Sequence, residues 1–235
     1  DVIAIGTGQR FTGGLFDPKF QKAKPLIPRS LRLEVRERVT YEGEALSAPE
    51  QEDLQAIVAA VKEHDIKAVA VCFLHSYVND SHEKSAVEFL KRQLPDRFIC
   101  GSADVLPQVR EYERFTTAVF NAYLGPIMQH YIGALSTGVQ EDGYEHDLLI
   151  MTSNGGVVSA EQASQYPVTT VLSGPAGGVN AGLFVASQLG IDNFLTYDMG
   201  GTGTDVCLVK NMRPTSAMQR IVSSLPLKIP QLDIN

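Results

Sequence analysis

The alternation of apolar and polar residues divides the first third of the chain into segments typical of a layered α/β protein. Leu31 to Val39 alternates apolar with charged residues, which predicts a half-exposed strand. Ala48 to Glu63 has apolar residues at helical spacing and acidic residues in its first turn, which predicts an amphipathic helix. Ile66 to Leu74 is almost continuously apolar, as in a strand covered on both faces. Strand, helix and strand in this order favour a βαβ-type layered domain.

The same pattern continues towards residue 166. Periodicity and breakers predict a helix from Ser81 to Leu94, a strand at Phe98 to Gly101, a long helical stretch from Leu106 with a kink at Gly125-Pro126, a strand at Leu148 to Met151, and a short helix at Ser159 to Tyr166 that is capped by Ser159.

A glycine-rich helix is predicted next, in the stretch Val168 to Ser187. Pro175 suits a first helical turn. One helix face has almost no side chains, because it consists of Ala176, Gly177, Gly178, Ala181 and Gly182. Each glycine weakens a helix by roughly 1 kcal/mol relative to alanine. We therefore expect another part of the backbone to pack closely against this face.

Phe194 to Val209 predicts a hairpin in which two apolar runs flank an acidic glycine/threonine turn. Asp198 and Asp205 are carboxylates that could hold a hydrated Mg²⁺, which prefers one or two carboxylates together with phosphate oxygens. The turn supplies conformational freedom, hydroxyl donors and backbone N–H groups for an anion through Gly200, Gly201, Thr202, Gly203 and Thr204. An ordinary glycine-rich hairpin is the alternative, since the lysine and helix of a Walker-type loop do not follow.

Composition narrows the classes of function. The 235 residues carry a net charge of −7, which argues against general affinity for nucleic acid or an anionic membrane. No apolar run reaches the length of a membrane helix, and residues 1–5 do not resemble a signal peptide. The three cysteines lack Cys-x-x-Cys spacing, which indicates buried thiols in a reducing compartment such as the cytoplasm. The abrupt ends predict a segment of something longer.

Two further polar clusters have structural and functional interpretations. His75 and His82 lie beside Asp80 and Glu83 after a predicted strand, so a metal site competes with a polar loop and the capped start of a helix. The charged residues of Arg110 to Arg114 are typical of a solvated ion-pair face, although one of them could reach a substrate.

Taken together, these segments carry a resemblance to a known family. The small-faced helix followed by Asp198-Met-Gly-Gly-Thr-Gly-Thr-Asp-Val206 resembles the second phosphate-binding hairpin of actin-like ATPases. Nearly the whole chain resembles the hydantoinase A / 5-oxoprolinase / acetone carboxylase β-subunit family. The segments that carry this resemblance are Pro25–Arg29, Ala70–Tyr77 with His82-Glu83, Arg110–Arg114, Asn121–Pro126, Ser153–Gly156, Ser173–Ala176 and Asp198–Thr202.

This resemblance implies an α/β fold of the actin-like ATPase (ribonuclease H-like) type, present in part as a layered sheet with flanking helices. Residues 1–172 would form most of lobe one, 173–192 the connecting helix, and 193–235 the start of lobe two. The first phosphate hairpin would lie before residue 1 and the adenosine segment after residue 235, so the isolated segment is expected to bind ATP poorly and to be inactive.

The resemblance also implies an enzyme that uses ATP and Mg²⁺ on a small-molecule substrate, with a hydantoinase B-like second subunit. Asp198 would orient Mg²⁺, and Asp205 would support the hairpin or the water shell of the metal. The β- and γ-phosphates would be cradled by Gly200, Gly201, Thr202, Gly203 and Thr204. Gly203 stands where the family often has serine.

Two activities remain open under this resemblance. One is an N-methylhydantoinase-type hydrolase of cyclic amides, and the other is the β-type subunit of an acetone or acetophenone carboxylase. Gly6–Gly14 and Ser223–Leu227 look carboxylase-like. Outside the enzyme class, an actin-like ATP-driven switch or a degenerate scaffold without turnover would use the same hairpin. The scaffold is disfavoured by the intact Asp198, Thr202, Thr204 and Asp205.

Overall fold

A computed structural model describes residues 25–201 and 203–235, which fall into two compact units. Within the described residues, unit one contains residues 25–66, Ala70–Val119 and Ile221–Leu227. Unit two contains Lys67–Val69, Phe120–Arg220 and Lys228–Asn235. The predicted Gly6–Gly14 loop and Thr202 lie outside the described residues.

The secondary structure alternates between helices and short strands. The α-helices are α1 (Gln51–Glu63), α2 (Ser81–Gln93), α3 (Ser102–Val105), α4 (Glu111–Glu141), α5 (Ala160–Gln165) and α6 (Ser173–Leu189), with 3₁₀ turns at Arg29–Leu31 and Pro167–Thr170. The strands are β1 (Arg38–Val39), β2 (Ala45–Ser47), β3 (Ala68–Val71), β4 (Phe98–Gly101), β5 (Leu149–Met151), β6 (Val157–Ser159), β7 (Phe194–Met199), β8 (Thr204–Lys210), β9 (Arg213–Pro214), β10 (Ser216–Ala217), β11 (Arg220–Val222), β12 (Leu225–Leu227) and β13 (Gln231–Leu232).

Unit one contains α1, α2, β4 and the second half of β3. Glu83 in the first turn and the basic Lys91 and Arg92 in the last turn of α2 suit the helix dipole. Asn79 lies one residue before the N-cap position, Asp80, and its Oδ1 accepts hydrogen bonds from both the N–H and the hydroxyl of Ser81. The buried apolar side chains include Leu54, Val61, Ala86, Val87, Leu90, Phe98, Ile99 and Ala118. Their burial away from water is the main stabilising contribution in this unit.

An ion pair joins the segment before β1 to the first turn of α1. The guanidinium Nη2 of Arg36 lies 2.8 Å from Oδ1 of Asp53, and the backbone N–H of Arg36 donates to Oδ2 at 2.8 Å. The hydrogen bond from the Arg36 side chain lowers the pKa of Asp53 from 3.8 to about 2. This contact holds the irregular segment before β1 against the first turn of α1.

The contact should titrate at unusually low pH. Because the pKa of Asp53 is lowered in the folded state, its contribution is fully present above pH 3.8 and is lost as the pH falls towards 2. A carbon-13 NMR titration of the Asp53 carboxyl is expected to have a midpoint near 2, and Arg36→Gln should return it towards the ordinary value. A midpoint near 3.8 in the unmodified protein would contradict the contact.

Unit two places α6 against the three-stranded sheet of β7, β8 and β9. The helix begins after Leu172, which has a left-handed φ of 64°, and it ends at Gly190, whose φ of 65° allows its N–H to reach the carbonyl of Ala186. Buried side chains of helix and sheet share one core, whose members are Ala176, Val179, Cys207, Val209, Leu232 and Ile234. This core fixes the hairpin relative to the glycine-rich helix.

Several predicted boundaries are wrong, and the strand predicted over Ile66 to Leu74 is limited to Ala68–Val71. The strand predicted over Leu31 to Val39 is reduced to Arg38–Val39, because the side chain of Arg32 turns back to the carbonyl of Ile27 and Arg36 is held by Asp53. The long helix begins at Glu111 rather than Leu106, since Arg110 adopts a left-handed φ of 77°. The helix then continues through Pro126 to Glu141.

Candidate functional site

The two aspartates of the hairpin lie directly opposite each other. β7 pairs with β8 in an antiparallel register that aligns Phe194 with Val209, Thr196 with Cys207 and Asp198 with Asp205. Side chains of directly opposed residues project from the same face of a sheet. Asp198 is exposed and Asp205 is half-buried. Two like charges in this arrangement are unfavourable unless a cation or a set of donors lies between them.

The turn between these strands leaves its backbone open. It is closed by a hydrogen bond from the N–H of Gly200 to the carbonyl of Gly203, at 2.9 Å. A Cβ atom placed on Gly201 or Gly203 would meet nothing within 4 Å, and none of the three glycines has the positive φ that glycine alone favours. Their role here is open access to the backbone rather than an unusual conformation.

The glycine face of α6 covers one side of this hairpin. A Cβ on Gly178 would lie 3.7 Å from Oδ2 of Asp198, and a Cβ on Gly182 would lie 2.8 Å from Cγ2 of Thr196. Gly182 is therefore closely approached, but the contacting atoms at both Gly178 and Gly182 belong to side chains, so the backbone contact predicted from the sequence is not found at these two glycines. Helix and hairpin together form a cleft of about 200 Å³, lined by Pro175, Gly178, Val179, Thr196, Tyr197, Asp198, Asp205 and Ile234.

Replacing Gly182 by alanine tests this packing. The added methyl group would overlap Thr196, and overpacking of this kind costs about 1–3 kcal/mol, which exceeds the gain of about 1 kcal/mol in helix propensity. Urea denaturation should therefore show a less stable protein. Gly138→Ala in α4 is the matched control, because its Cβ meets nothing within 4 Å and should stabilise by up to about 1 kcal/mol. Equal effects of both changes would contradict the close contact.

The cleft has the chemistry that a hydrated divalent cation needs. Mg²⁺ is usually held by one or two protein carboxylates, and its remaining ligands are water and phosphate oxygens. Asp198 and Asp205 supply two carboxylates in one cleft, and the open turn leaves space beside them for an anion. The residues present fit this ion. Thr204 lies at the start of β8, next to Asp205, while the placement of Thr202 is outside the described residues.

The contacts of His82 and Glu83 do not support the metal site that His75 and His82 were predicted to form as one alternative. His82 Nδ1 lies 2.9 Å from Oε1 of Glu37, and Glu83 instead binds backbone and hydroxyl donors. Across residues 25–201 and 203–235, no group of three or more His, Cys, Asp or Glu side chains is arranged to hold a metal ion.

The solvated ion-pair face predicted at Arg110 to Arg114 is wrong for Arg114. Its side chain is only 1% exposed and donates to the carbonyls of Gln108 and Phe73 and to the hydroxyl of Ser102. Burial lowers the pKa of Arg114, while the nearby charge of Glu83 acts in the opposite direction. Sequence spacing missed this residue because two of its partners, Phe73 and Ser102, come from other elements.

Comparisons with known proteins identify the family. A family model described as hydantoinase/oxoprolinase matches residues 114–235, and a model of the N-terminal region of the same family matches residues 1–94. The chain belongs to the hydantoinase/oxoprolinase family, as its sequence motifs predict.

Individual relatives extend over nearly the whole chain. The caprolactamase subunit alpha of Pseudomonas jessenii is 34% identical over 234 residues, which cover 100% of this chain and 34% of that protein. The acetophenone carboxylase gamma subunit of Aromatoleum aromaticum is 32% identical and is matched over 89% of this chain and 30% of its own length. The chain thus spans about a third of these relatives.

A solved structure supports the predicted fold. The crystal structure of the ATP-dependent caprolactamase from Pseudomonas jessenii superposes with a TM-score of 0.85 at 33% identity, covering 100% of this chain and 34% of that chain. The predicted α/β fold of the actin-like ATPase type is confirmed. In the described part of the chain, no helix has both the length and the apolar character required to cross a membrane.

Proposed function

We propose that this chain provides one phosphate-binding arm of an ATP-dependent enzyme that activates a cyclic amide for hydrolysis. The observation that carries the proposal is the placement of Asp198 opposite Asp205, beside an open glycine turn and under the glycine face of α6. The similarity to the ATP-dependent caprolactamase from Pseudomonas jessenii supports the choice of nucleotide.

In this proposal the aspartates of the hairpin bind the metal ion, and the turn residues bind the phosphates. Asp198, with Asp205 in support, would hold Mg²⁺ through its water shell, and that ion would neutralise charge on the phosphate oxygens. Backbone N–H groups of Gly201 and Gly203, together with the hydroxyls of Thr202 and Thr204, would donate to the β- and γ-phosphates. Gly200 would shape this cradle, since its own N–H closes the turn by donating to the carbonyl of Gly203. The contribution of the protein is then positioning and charge neutralisation, as in phosphoryl transfer generally.

The glycine face of α6 has a mechanical role in this proposal. We take residues 173–192 as the connection between lobe one, residues 1–172, and the start of lobe two, residues 193–235. Gly178 lies close to Oδ2 of Asp198, so a change in the tilt of the helix would move the cleft directly. A bare helix face allows such movement without side-chain obstruction.

The substrate in this proposal is a small cyclic amide, activated when phosphate is transferred to its oxygen. Carboxylation of a ketone is the second candidate, and the similarity to an acetophenone carboxylase subunit favours it. Both relatives described above are named as subunits, which supports a second, hydantoinase B-like subunit as the partner. We place the enzyme in the cytoplasm, because its three cysteines are thiols rather than disulfides.

Phosphate release by the full-length protein with its partner subunit distinguishes these activities. Release from MgATP that requires a cyclic amide such as hydantoin would support the amide hydrolase. Release that requires a ketone together with bicarbonate would assign the carboxylase. Hydrolysis that is indifferent to every substrate would indicate an ATP-driven switch, and no hydrolysis in a folded, nucleotide-binding assembly would contradict all three.

A further inference from the structure

Unit one contains a loop whose start is held by two buried charged side chains, those of Glu83 and Arg114. The loop, Leu74–Val78, follows β3, and the residue before it, Phe73, is held on both sides of its backbone. The N–H of Phe73 donates to Oε2 of Glu83 at 2.9 Å, and its carbonyl accepts from Nη2 of Arg114 at 2.8 Å. Glu83 is 2% exposed and Arg114 is 1% exposed. Two buried charges of opposite sign that both bind the backbone of one residue indicate that the conformation of this loop matters.

Ser102 completes this support. Its hydroxyl donates to Oε2 of Glu83 at 2.9 Å and accepts from Nε of Arg114 at 3.2 Å. Ser76, within the loop, donates to the carbonyl of Phe73 and lies 3.4 Å from the Ser102 hydroxyl. Glu83 and Arg114 are therefore connected through the hydroxyl of Ser102 and the backbone of Phe73, which also hold the loop.

His75 is the unusual residue of this loop. Its φ of 64° lies in the left-handed region, which non-glycine residues seldom occupy. Its carbonyl closes the turn by accepting from Val78 and Asn79. Nδ1 of its ring is buried and has no hydrogen-bond partner, whereas the residue as a whole is partly exposed. Strained backbone and an unpaired buried polar atom in one residue are features that occur at functional sites.

The unpaired nitrogen determines which ring atom carries the proton. A buried N–H group without an acceptor is rarer in proteins than an acceptor that lacks a donor. A tautomer with the proton on Nε2 and the lone pair on Nδ1 avoids such a buried unpaired donor. This tautomer gives the partly exposed ring a hydrogen-bond donor towards solvent.

The surroundings of His75 suit a neutral rather than a charged ligand. The ring of Tyr77 lies 6.0 Å from that of His75, and the guanidinium of Arg114 lies 5.3 Å from the centre of the Tyr77 ring. The charge of Arg114 is balanced by Glu83 beneath the loop, so this pair adds no net charge. Leu74 and Val78 expose 39% and 47% of their surface on the same loop, which provides apolar contact area.

We propose that the loop Leu74–Val78 is a ligand site in which Nε2 of His75 donates a hydrogen bond to the carbonyl oxygen of a small neutral molecule. Tyr77 positions the imidazole, and Leu74 and Val78 contact the apolar carbons of the ligand. Glu83 and Arg114 act as positioning residues through the backbone of Phe73. This site lies within unit one and does not depend on the nucleotide-binding function proposed for the hairpin.

Nitrogen-15 NMR of the histidine side chains tests the site directly. The protein has five histidines, so His64, His82, His130 and His146 serve as internal controls. We expect the His75 signals to show the proton on Nε2 and to shift in a saturable manner with 2-pyrrolidinone, a neutral cyclic amide. Acetate, which carries a charged oxygen, should have little effect, and the other four histidines should not respond to the amide.

His75→Asn is the matched variant, since asparagine tolerates a left-handed backbone but lacks the imidazole. It should remain folded and bind 2-pyrrolidinone roughly fivefold to tenfold more weakly, as the loss of one hydrogen bond predicts. Unshifted His75 signals, a proton on Nδ1, equal shifts in all five histidines, a response to acetate alone, or unchanged binding by the variant would each overturn the proposal. None of these outcomes depends on ATP, so failure here is distinct from failure of the proposed activity.

Discussion

Replacing Asp198 by asparagine is expected to lower Mg²⁺-dependent ATP hydrolysis by at least about 100-fold, the loss that follows removal of one preorganised charge-stabilising group. The change removes a negative charge from the cleft but keeps the shape of the side chain. Asp198 is exposed at the end of β7, so the fold should be preserved. The measurement is phosphate release by the full-length protein as a function of Mg²⁺ concentration.

Two further variants serve as controls for the Asp198→Asn result. Asp192→Asn alters another exposed aspartate that lies outside the cleft, and it should hydrolyse ATP at the normal rate. Asp205→Asn should have a smaller effect than Asp198→Asn if its role is support of the metal's water shell. Normal hydrolysis by a folded Asp198→Asn variant would contradict the assignment of the hairpin. Unchanged Mg²⁺ dependence alongside lower activity would retain a role for Asp198 but remove it from the metal.

The sequence was sufficient to predict the hairpin and the preceding helix, because both depend on residues that are close together in the chain. The register of β7 and β8 follows from a short turn between two apolar runs, so the pairing of Asp198 with Asp205 depends only on local spacing. The run of small residues in α6 likewise predicts close packing, which Gly182 makes against Thr196. Such features depend on neighbours in the chain and can be derived without the fold.

The features that sequence analysis missed depend on long-range contacts. Arg114 belongs to a charged segment whose pattern is typical of a solvent-exposed helix start, yet it bonds to Phe73 and Ser102, which come from other elements. Glu83 looks like a residue of a helix cap, but its carboxylate is buried below the loop after β3. The alternation in Leu31–Val39 predicts a strand, but a strand also needs a partner along its length, and only Arg38–Val39 has one.

Glu83→Gln is expected to destabilise the protein by about 3–5 kcal/mol, the usual cost of removing one member of a buried charge pair. The carboxylate accepts from the N–H of Phe73, the hydroxyl of Ser102 and the N–H of Ala103, at 2.9, 2.9 and 2.6 Å. An amide places donors where acceptors are needed, and it leaves the positive charge of buried Arg114 uncompensated. The free energy of unfolding in urea measures this loss, and Glu88→Gln, on the exposed side of α2, should change it little.

A double variant separates the charge effect from the lost hydrogen bonds. Arg114→Met removes the uncompensated charge while keeping a long side chain, so Glu83→Gln/Arg114→Met should cost clearly less than the sum of the two single changes. A simple sum would mean that the two groups act independently and that the loop is held by hydrogen bonds alone. Coupling would show that Glu83 and Arg114 form one unit. It would also explain how a left-handed conformation at His75 is maintained, because the favourable energy of the pair would then offset the backbone strain.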